Sequence, residues 1–170
     1  RYLASIGHKD FMYIGEPDYY TKKEWGFDTR ALGYKDTVDK LGLNNLGMIT
    51  IDTEKSDTAS QIISMILNMD TRPTAICTWC DTTAFHVIRA LESSNIRVPQ
   101  DISVAGFDGS NIAQVMNLTG MVPDSPKDIG QLAAQKTLAL IRGEDLAQKH
   151  TILQAQLHIG SSTRVIHEDQ

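Results

Sequence analysis

The chain has 170 residues, of which 41% are hydrophobic and 22% are charged. These proportions are typical of a folded globular protein and exclude an intrinsically disordered chain, which has too few apolar side chains to form a core. The formal net charge of −5 argues against a nucleic-acid-binding surface on this chain, because such surfaces are basic. No apolar run approaches the roughly 20 residues of a membrane-spanning helix, so we expect no membrane contact.

Segments of β-forming residues alternate along the chain with segments whose apolar residues recur at helical spacing. In chain order, the predicted elements are a strand at 11–15, a helix at 28–41, a strand at 48–51, a helix at 56–69, a strand at 74–79, a helix at 82–94, a strand at 102–105, a short helix at 111–117, an extended segment at 118–122, a helix at 127–142 and a strand at 151–157. Gly42 and Gly143 are helix termination signals, and Ser110 is a candidate N-cap. This alternation predicts βαβ units, and therefore an α/β fold with doubly wound parallel sheets.

The loops that follow the strands of such a sheet all lie at one edge, where ligands bind in open α/β folds. Arg30 is in the first turn of a predicted helix, and Asp108 follows a predicted buried strand. Carboxylates accept hydrogen bonds from sugar hydroxyls and a guanidinium donates to them, while a tryptophan offers an apolar face to a sugar ring. The candidate ligand-binding residues are Arg30, Asp52, Glu54, Trp79, Cys80, Asp81 and Asp108, and Trp25 is a further candidate ring face.

Each of these candidates also has a purely structural interpretation. Asp81 is a candidate N-cap for the helix at 82–94, and Asp108 is a candidate cap for the helix that follows it. Trp79 is equally compatible with packing in the core or in a dimer interface. Trp25 is compatible with a loop anchor, and Arg30 with an ordinary surface arginine, although its charge opposes the dipole at a helix N-terminus.

Cys77 and Cys80 form a C-x-x-C pattern, which is compatible with a redox pair or with half of a zinc site. A zinc site needs about four ligands, and no second C-x-x-C is present. A redox pair opens a helix, whereas Cys77 falls inside a predicted strand. We therefore interpret the spacing as chance, with both thiols reduced in a cytoplasmic protein. No metal and no cofactor are expected.

The sequence contains no P-loop, no G-x-S-x-G, no H-E-x-x-H and no Rossmann glycine fingerprint. We therefore expect that the protein is not an enzyme. A small α/β hydrolytic enzyme is an alternative in which Asp81 and Asp108 would form a carboxylate pair, but nothing in the sequence fixes their separation.

Short motifs recur along the chain in a fixed order. Residues 98–108 read VPQDISVAGFD, residues 30–34 read RALGY and residues 72–76 read RPTAI. In this order and spacing they resemble the effector-binding domain of the LacI/GalR (lactose/galactose repressor-type) transcriptional regulators. Members of that family carry V-P-x-D-I-S-V-x-G-F-D, R-x-x-G-Y/F and x-P-T-A-I/V segments.

The resemblance implies two α/β lobes, as in periplasmic sugar-binding proteins, with a small ligand between them. Residues 1–17 and 123–157 would be parts of the first lobe, 18–122 would form the second lobe, and 158–170 would be a crossover and tail. The rest of the first lobe and a helix-turn-helix DNA-binding domain would lie outside this chain. We therefore expect the chain to be part of a longer protein.

The resemblance also suggests roles for individual residues. Arg30 matches the family arginine that grips the effector, and Asp108 matches the aspartate that accepts from it. Asp81 matches the aspartate of an A-N-D segment, in which Cys80 replaces the asparagine and Trp79 replaces a small residue. These two departures leave the identity of the effector open.

Dimer contacts in the family come largely from the second lobe, which implies a homodimer here. The candidate interface residues are Thr82, Phe85, Arg89, Ser110, Asn111 and Gln114. The predicted function is binding of a sugar or sugar derivative that alters operator affinity, with DNA bound through the domain outside this chain. The alternative is an exported solute-binding protein of a sugar transporter.

Overall fold

Six strands form one sheet in the part of the chain that the computed structural model describes, which is residues 1–16, 29–124, 126–146, 148 and 150–166. The candidate Trp25 lies outside these residues. The strands are β1 (Asp10–Gly15), β2 (Asn44–Thr50), β3 (Ala75–Thr78), β4 (Ser103–Phe107), β5 (Gly120–Pro123) and β6 (Ala155–His158). The helices are α1 (Tyr2–Ser5), α2 (Thr29–Leu41), α3 (Thr58–Leu67), α4 (Asp81–Ser93), α5 (Asn111–Met116) and α6 (Pro126–Ile141).

The order of the strands in the sheet is β2-β1-β3-β4-β5-β6. Strands β1 to β5 are parallel, which confirms the predicted doubly wound α/β fold. Strand β6 differs from the prediction, because it runs antiparallel to β5 at the edge of the sheet. An edge strand pairs on one side only, and a mixed sheet with an antiparallel edge strand is common in this class of fold.

Strand β1 is buried on both faces of the sheet, and its successive side chains point in opposite directions. Met12 and Ile14 belong to a core that contains residues of α3, α4 and α5. Phe11 and Tyr13 belong to a second core, which contains residues of α1 and α2. Helices α2 and α3 therefore cover opposite faces, and the chain changes face between β1 and β3. In open α/β sheets such a change of direction creates the ligand-binding crevice at the carboxyl ends of the strands.

The position of β1 corrects one boundary of the predicted lobes. Residues 1–17 were assigned to a first lobe, separate from 18–122. Strand β1 instead pairs with both β2 and β3, inside the same sheet as the other strands up to residue 122. The physical reason is burial, because an apolar strand that is covered on both faces is most stable where it has a neighbouring strand on each side.

Helix α6 and the segment that follows it leave many apolar side chains uncovered. Ile141 is 75% exposed and Ile152 is 88% exposed, and Ile129, Leu138 and Leu140 are also exposed. None of the helices in the described ranges combines the length and the apolar character that crossing a membrane requires.

The last described residues hold the sheet to α1. The Ser162 hydroxyl donates to the Val104 carbonyl oxygen at 2.7 Å and accepts from the Thr119 amide at 2.9 Å. The Ile166 amide donates to the Ile6 carbonyl oxygen at 2.8 Å. The chain after β6 is thus anchored to β4, to the residue before β5 and to the end of α1.

His8 is buried beneath this tail, in the turn between α1 and β1. Its Nε2 lies 3.1 Å from the Arg164 carbonyl oxygen, while its buried Nδ1 has no hydrogen-bond partner. Burial lowers the pKa of His8, opposed by this hydrogen bond and reinforced by the Arg164 charge. The folded protein therefore favours the neutral imidazole.

We predict that this histidine makes folding stability depend on pH. Above the unfolded pKa of 6.5 the imidazole is neutral in the folded and the unfolded state, so protonation of His8 does not reduce the free energy of unfolding there. As the pH falls from 6.5 through the lowered folded pKa, the unfolded state takes up the proton first and the free energy of unfolding decreases. Denaturant unfolding of His8→Gln should show a flatter slope in this window than the wild type. The exposed His150→Gln is the control, and equal slopes for His8→Gln and the wild type would contradict the prediction.

Candidate functional site

Arg30, Trp79 and Asp108 come together at the carboxyl edge of the sheet, although they lie on three different elements. Arg30 is in the first turn of α2, Trp79 follows β3, and Asp108 follows β4. Arg30 Nη1 donates to the Trp79 carbonyl oxygen at 2.7 Å, and Nη2 lies 3.5 Å from Asp108 Oδ1. The planar guanidinium of Arg30, a hydrogen-bond donor, thus lies beside the Asp108 carboxylate, an acceptor, at the edge of the sheet where the sequence predicts a ligand.

Two aromatic rings lie against the same guanidinium. The Cζ atom of Arg30 is 4.4 Å from the centroid of the Trp79 ring and 4.3 Å from that of the Phe107 ring. Cation–π contacts at this distance are favourable. They offset part of the unfavourable placement of a cation at the N-terminus of α2.

Asp108 combines a strained backbone with an unusual electrostatic environment. Its φ of +107° lies in a region that non-glycine residues rarely adopt, and such residues cluster at functional sites. Burial raises the pKa of its carboxyl group, the Arg30 charge lowers it, and the Asp81 charge raises it. The side chains of Arg30 and Asp108 are 30% and 46% exposed, and an ion pair this open contributes only about 0–1 kcal/mol to stability. Stability therefore does not explain the pair.

Asp81 is buried, and its carboxylate is committed to the protein. It is the first residue of α4, and its Oδ2 accepts from the Ser110 amide at 2.7 Å. A Cβ atom added at Gly106 would lie only 2.5 Å from Asp81 Oδ1, so the backbone of β4 closes around this side chain. Asp81 thus links α4 to the start of α5, and the proposed N-cap position of α4 is occupied by Cys80 instead.

A second polar cluster forms around Glu16, which directly follows β1. Its Oε1 accepts from the Thr83 hydroxyl at 2.8 Å and from the Thr53 hydroxyl at 3.3 Å. The Cys80 sulfur lies 3.3 Å from the Thr83 hydroxyl and 3.9 Å from Glu16 Oε1. Glu16 was not among the candidate ligand residues. The signal that could have found it is its position as the first polar residue after a buried strand.

Asp52 and Glu54 lie in the turn after β2, and their described contacts are local. Asp52 Oδ1 accepts from the Glu54 amide at 3.1 Å, and Lys55 Nζ lies 3.8 Å from Asp52 Oδ2. The Thr58 hydroxyl donates to the Asp52 carbonyl oxygen. Asp52 therefore organises the turn that leads into α3.

A family model described as a periplasmic binding protein-like domain matches residues 1–163. The chain belongs to this family. Its curated relatives include the HTH-type transcriptional regulators RegA of Clostridium saccharobutylicum and MalR of Clostridium butyricum. RegA is 26% identical over 167 residues, and MalR is 31% identical over 165 residues.

These two alignments cover 95% and 92% of this chain but 48% and 46% of the relatives. The chain thus spans about half the length of the curated relatives it matches. A solved structure of a LacI transcriptional regulator from a Rhodococcus species matches with a TM-score of 0.77 and 28% identity, over 96% of this chain and 59% of that chain. These relatives confirm the resemblance that the sequence motifs indicated.

In this periplasmic binding protein-like domain, the two cysteines have different surroundings. Cys77 lies within β3, and burial raises its pKa to about 11. A thiol in such an environment stays protonated near neutral pH and is a poor redox group or metal ligand. Both cysteines are free, and within the described ranges no three His, Cys, Asp or Glu side chains are grouped as a metal site requires.

The candidate dimer residues of the domain lie on α4 and around α5. Thr82, Arg89, Asn111 and Gln114 are exposed, whereas Phe85 and Ser110 are half-buried. The Ser110 hydroxyl accepts from the Ala113 amide at 3.4 Å, which confirms it as the N-cap of α5. The dimer interface itself stays a prediction.

We predict that Asp81→Ala destabilises the fold by about 1–3 kcal/mol, because the half-buried Ser110 amide loses its acceptor. Asp81→Asn, which keeps an acceptor oxygen, should lose less. Denaturant unfolding measures both values. A change within about 0.5 kcal/mol for Asp81→Ala, the range typical of surface substitutions, would show that the buried contact is not important for stability.

Proposed function

We propose that this chain is the effector-binding region of a DNA-binding transcriptional regulator, and that its effector is a sugar or sugar derivative bound at the carboxyl edge of the sheet. The observation that carries the proposal is the contact between Arg30 and Asp108. A guanidinium beside a carboxylate offers donors and acceptors to neighbouring hydroxyl groups at once.

The charge at this edge favours a neutral ligand over a phosphorylated one. Among the described side chains there, carboxylates outnumber cationic groups. The carboxylates are those of Glu16, Asp52, Glu54, Asp81 and Asp108, and the cations are Arg1, Arg30 and Lys55. An anionic phosphate would have to approach this excess of negative charge, whereas hydroxyl groups can donate to it.

The structural role of the remaining chain is part of the same proposal. Within 123–157, we assign α6 and the segment between α6 and β6 to the first lobe, which would close over the ligand, because these residues expose many apolar side chains. Strand β6 instead belongs to the sheet that carries the candidate site. Ligand contacts that differ between open and closed lobes would shift the lobe orientation. In a homodimer joined through α4 and α5, that shift would change the spacing of two DNA-binding domains located outside this chain.

We place the protein in the cytoplasm and assign it no enzyme activity. The alternative is an exported solute-binding protein of a sugar transporter, which the family description alone would also fit. The regulator is favoured because RegA and MalR are both described as HTH-type transcriptional regulators.

A thermal-shift screen tests the effector class. The panel contains glucose, galactose, mannose, ribose and the hexose 6-phosphates. A sugar present at about 100 times its dissociation constant should add about 2.7 kcal/mol of stability. We expect a neutral sugar to raise the midpoint, and the shift to be lost in Arg30→Lys and in Asp108→Asn.

Matched controls come from the exposed loop before β3, at the opposite edge of the sheet. Arg72→Lys and Asp70→Asn make the same chemical changes there and should leave the shift intact. A shift that persists in Arg30→Lys would place the sugar elsewhere. A preference for sugar phosphates would contradict the charge assignment, and no response to any sugar would contradict the effector class.

A further inference from the structure

Two neighbouring strands end in aromatic residues that contact one arginine. Trp79 lies immediately after β3, and Phe107 is the last residue of β4. These strands pair with each other, so both rings lie at the same edge of the sheet. The guanidinium of Arg30 lies over both rings, 4.4 Å and 4.3 Å from their centroids.

Trp79 holds Arg30 in two independent ways. Its ring contacts the guanidinium carbon, and its carbonyl oxygen accepts from Nη1 at 2.7 Å. The ring limits the tilt of the guanidinium plane, and the hydrogen bond limits its rotation within that plane. Asp108 Oδ1 lies 3.5 Å from Nη2, at a different position around the guanidinium group.

A guanidinium held in this way can be recognised in only one manner. All its N–H donors lie in the plane of the group, while its faces carry no donor. Both aromatic rings already contact the guanidinium carbon, so a planar ligand that stacked on Arg30 would compete with them. We therefore expect a ligand to meet Arg30 through the edge of the guanidinium, where the N–H donors lie.

We propose that Trp79 and Phe107 are positioning residues, which hold the guanidinium of Arg30 edge-on to the ligand site and select ligands that carry hydroxyl groups over flat aromatic rings. The proposal rests on the proposed function only for the identity of what Arg30 binds. In this proposal, the face of the Trp79 ring that points toward Arg30 packs against the guanidinium. That face is therefore not the one that stacks on a sugar, which was the alternative role suggested by the sequence.

Nuclear magnetic resonance of the arginine side chains in the full-length protein tests the positioning directly. The Nε–Hε signal of Arg30, assigned by its loss in Arg30→Lys, should be shifted upfield of the signal of the exposed Arg72 by the ring currents. Trp79→Leu should move the signal back toward that of Arg72, and Trp79→Phe, which keeps an aromatic face, should retain most of the shift. Unfolding midpoints show whether each variant is folded.

Binding of a sugar from the panel tests whether the positioning matters for recognition. Trp79→Leu should weaken binding roughly fivefold, the size expected from the loss of one cation–π contact. In the Arg30→Lys background, titrated to sugar concentrations high enough to measure its residual binding, the same change should cause no further loss, because a residue that acts through Arg30 has no effect once Arg30 is replaced. Adenine, a flat base without hydroxyl groups, should leave the Arg30 signal of the wild type unchanged.

The outcomes separate the positioning role from the proposed function. An Arg30 signal that does not respond to Trp79→Leu overturns the positioning, and so does an adenine-induced shift of that signal. Additive losses from Trp79→Leu and Arg30→Lys show that Trp79 acts on the sugar by itself, which also overturns it. If no sugar binds but Trp79→Leu moves the Arg30 signal, the positioning is supported and the sugar effector is wrong.

Discussion

The burial of β1 on both faces of the sheet determines where a ligand site can form. Because β1 lies between β2 and β3, the next two helices in sequence, α2 and α3, cover opposite faces of the sheet. The carboxyl ends of the strands between these helices are left uncovered. Arg30 enters this gap from α2, and Asp108 enters it from β4. Neither side chain is needed to fill a core, so their contact is a property of the edge and not of the packing.

The edge is electrostatically unfavourable in isolation, which is typical of functional sites. Arg30 places a cation at a helix N-terminus, and Asp108 has a positive φ and a carboxyl pKa that burial raises. The contacts with the Trp79 and Phe107 rings and the hydrogen bond to the Trp79 carbonyl oxygen offset part of the unfavourable interaction between the Arg30 charge and the helix dipole. Below this edge, Asp81 satisfies the Ser110 amide and fixes α4 relative to α5. Asp81 is thus a buried structural carboxylate, whereas the Asp108 carboxylate is exposed at the edge.

Most of the fold could be predicted from the sequence, because apolar periodicity reports burial directly. The strand at 11–15 and the helix at 82–94 differ from β1 and α4 by one residue at each shifted end. Strand β2 begins earlier than predicted, at Asn44, since its first residues are polar and exposed and give no apolar signal. The direction of β6 could not be predicted, because parallel and antiparallel edge strands have the same side-chain pattern.

The site could be predicted only at the level of which loops meet. Topology brings Arg30, Trp79 and Asp108 to one edge, but the directions of their side chains depend on loop backbones that periodicity does not encode. For this reason the sequence suggested a ligand role for Asp81, whose carboxylate is buried against a backbone amide, and did not single out Glu16. The contact between Trp79 and Arg30 was missed for the same reason.

A crystal structure of the protein with a bound neutral sugar tests the central claim most directly. The arrangement of the edge predicts sugar hydroxyl groups within about 3.2 Å of both the Arg30 guanidinium and the Asp108 carboxylate. A sugar bound away from these two side chains, with the Arg30–Asp108 contact unchanged, would contradict the claim that this pair forms the effector site.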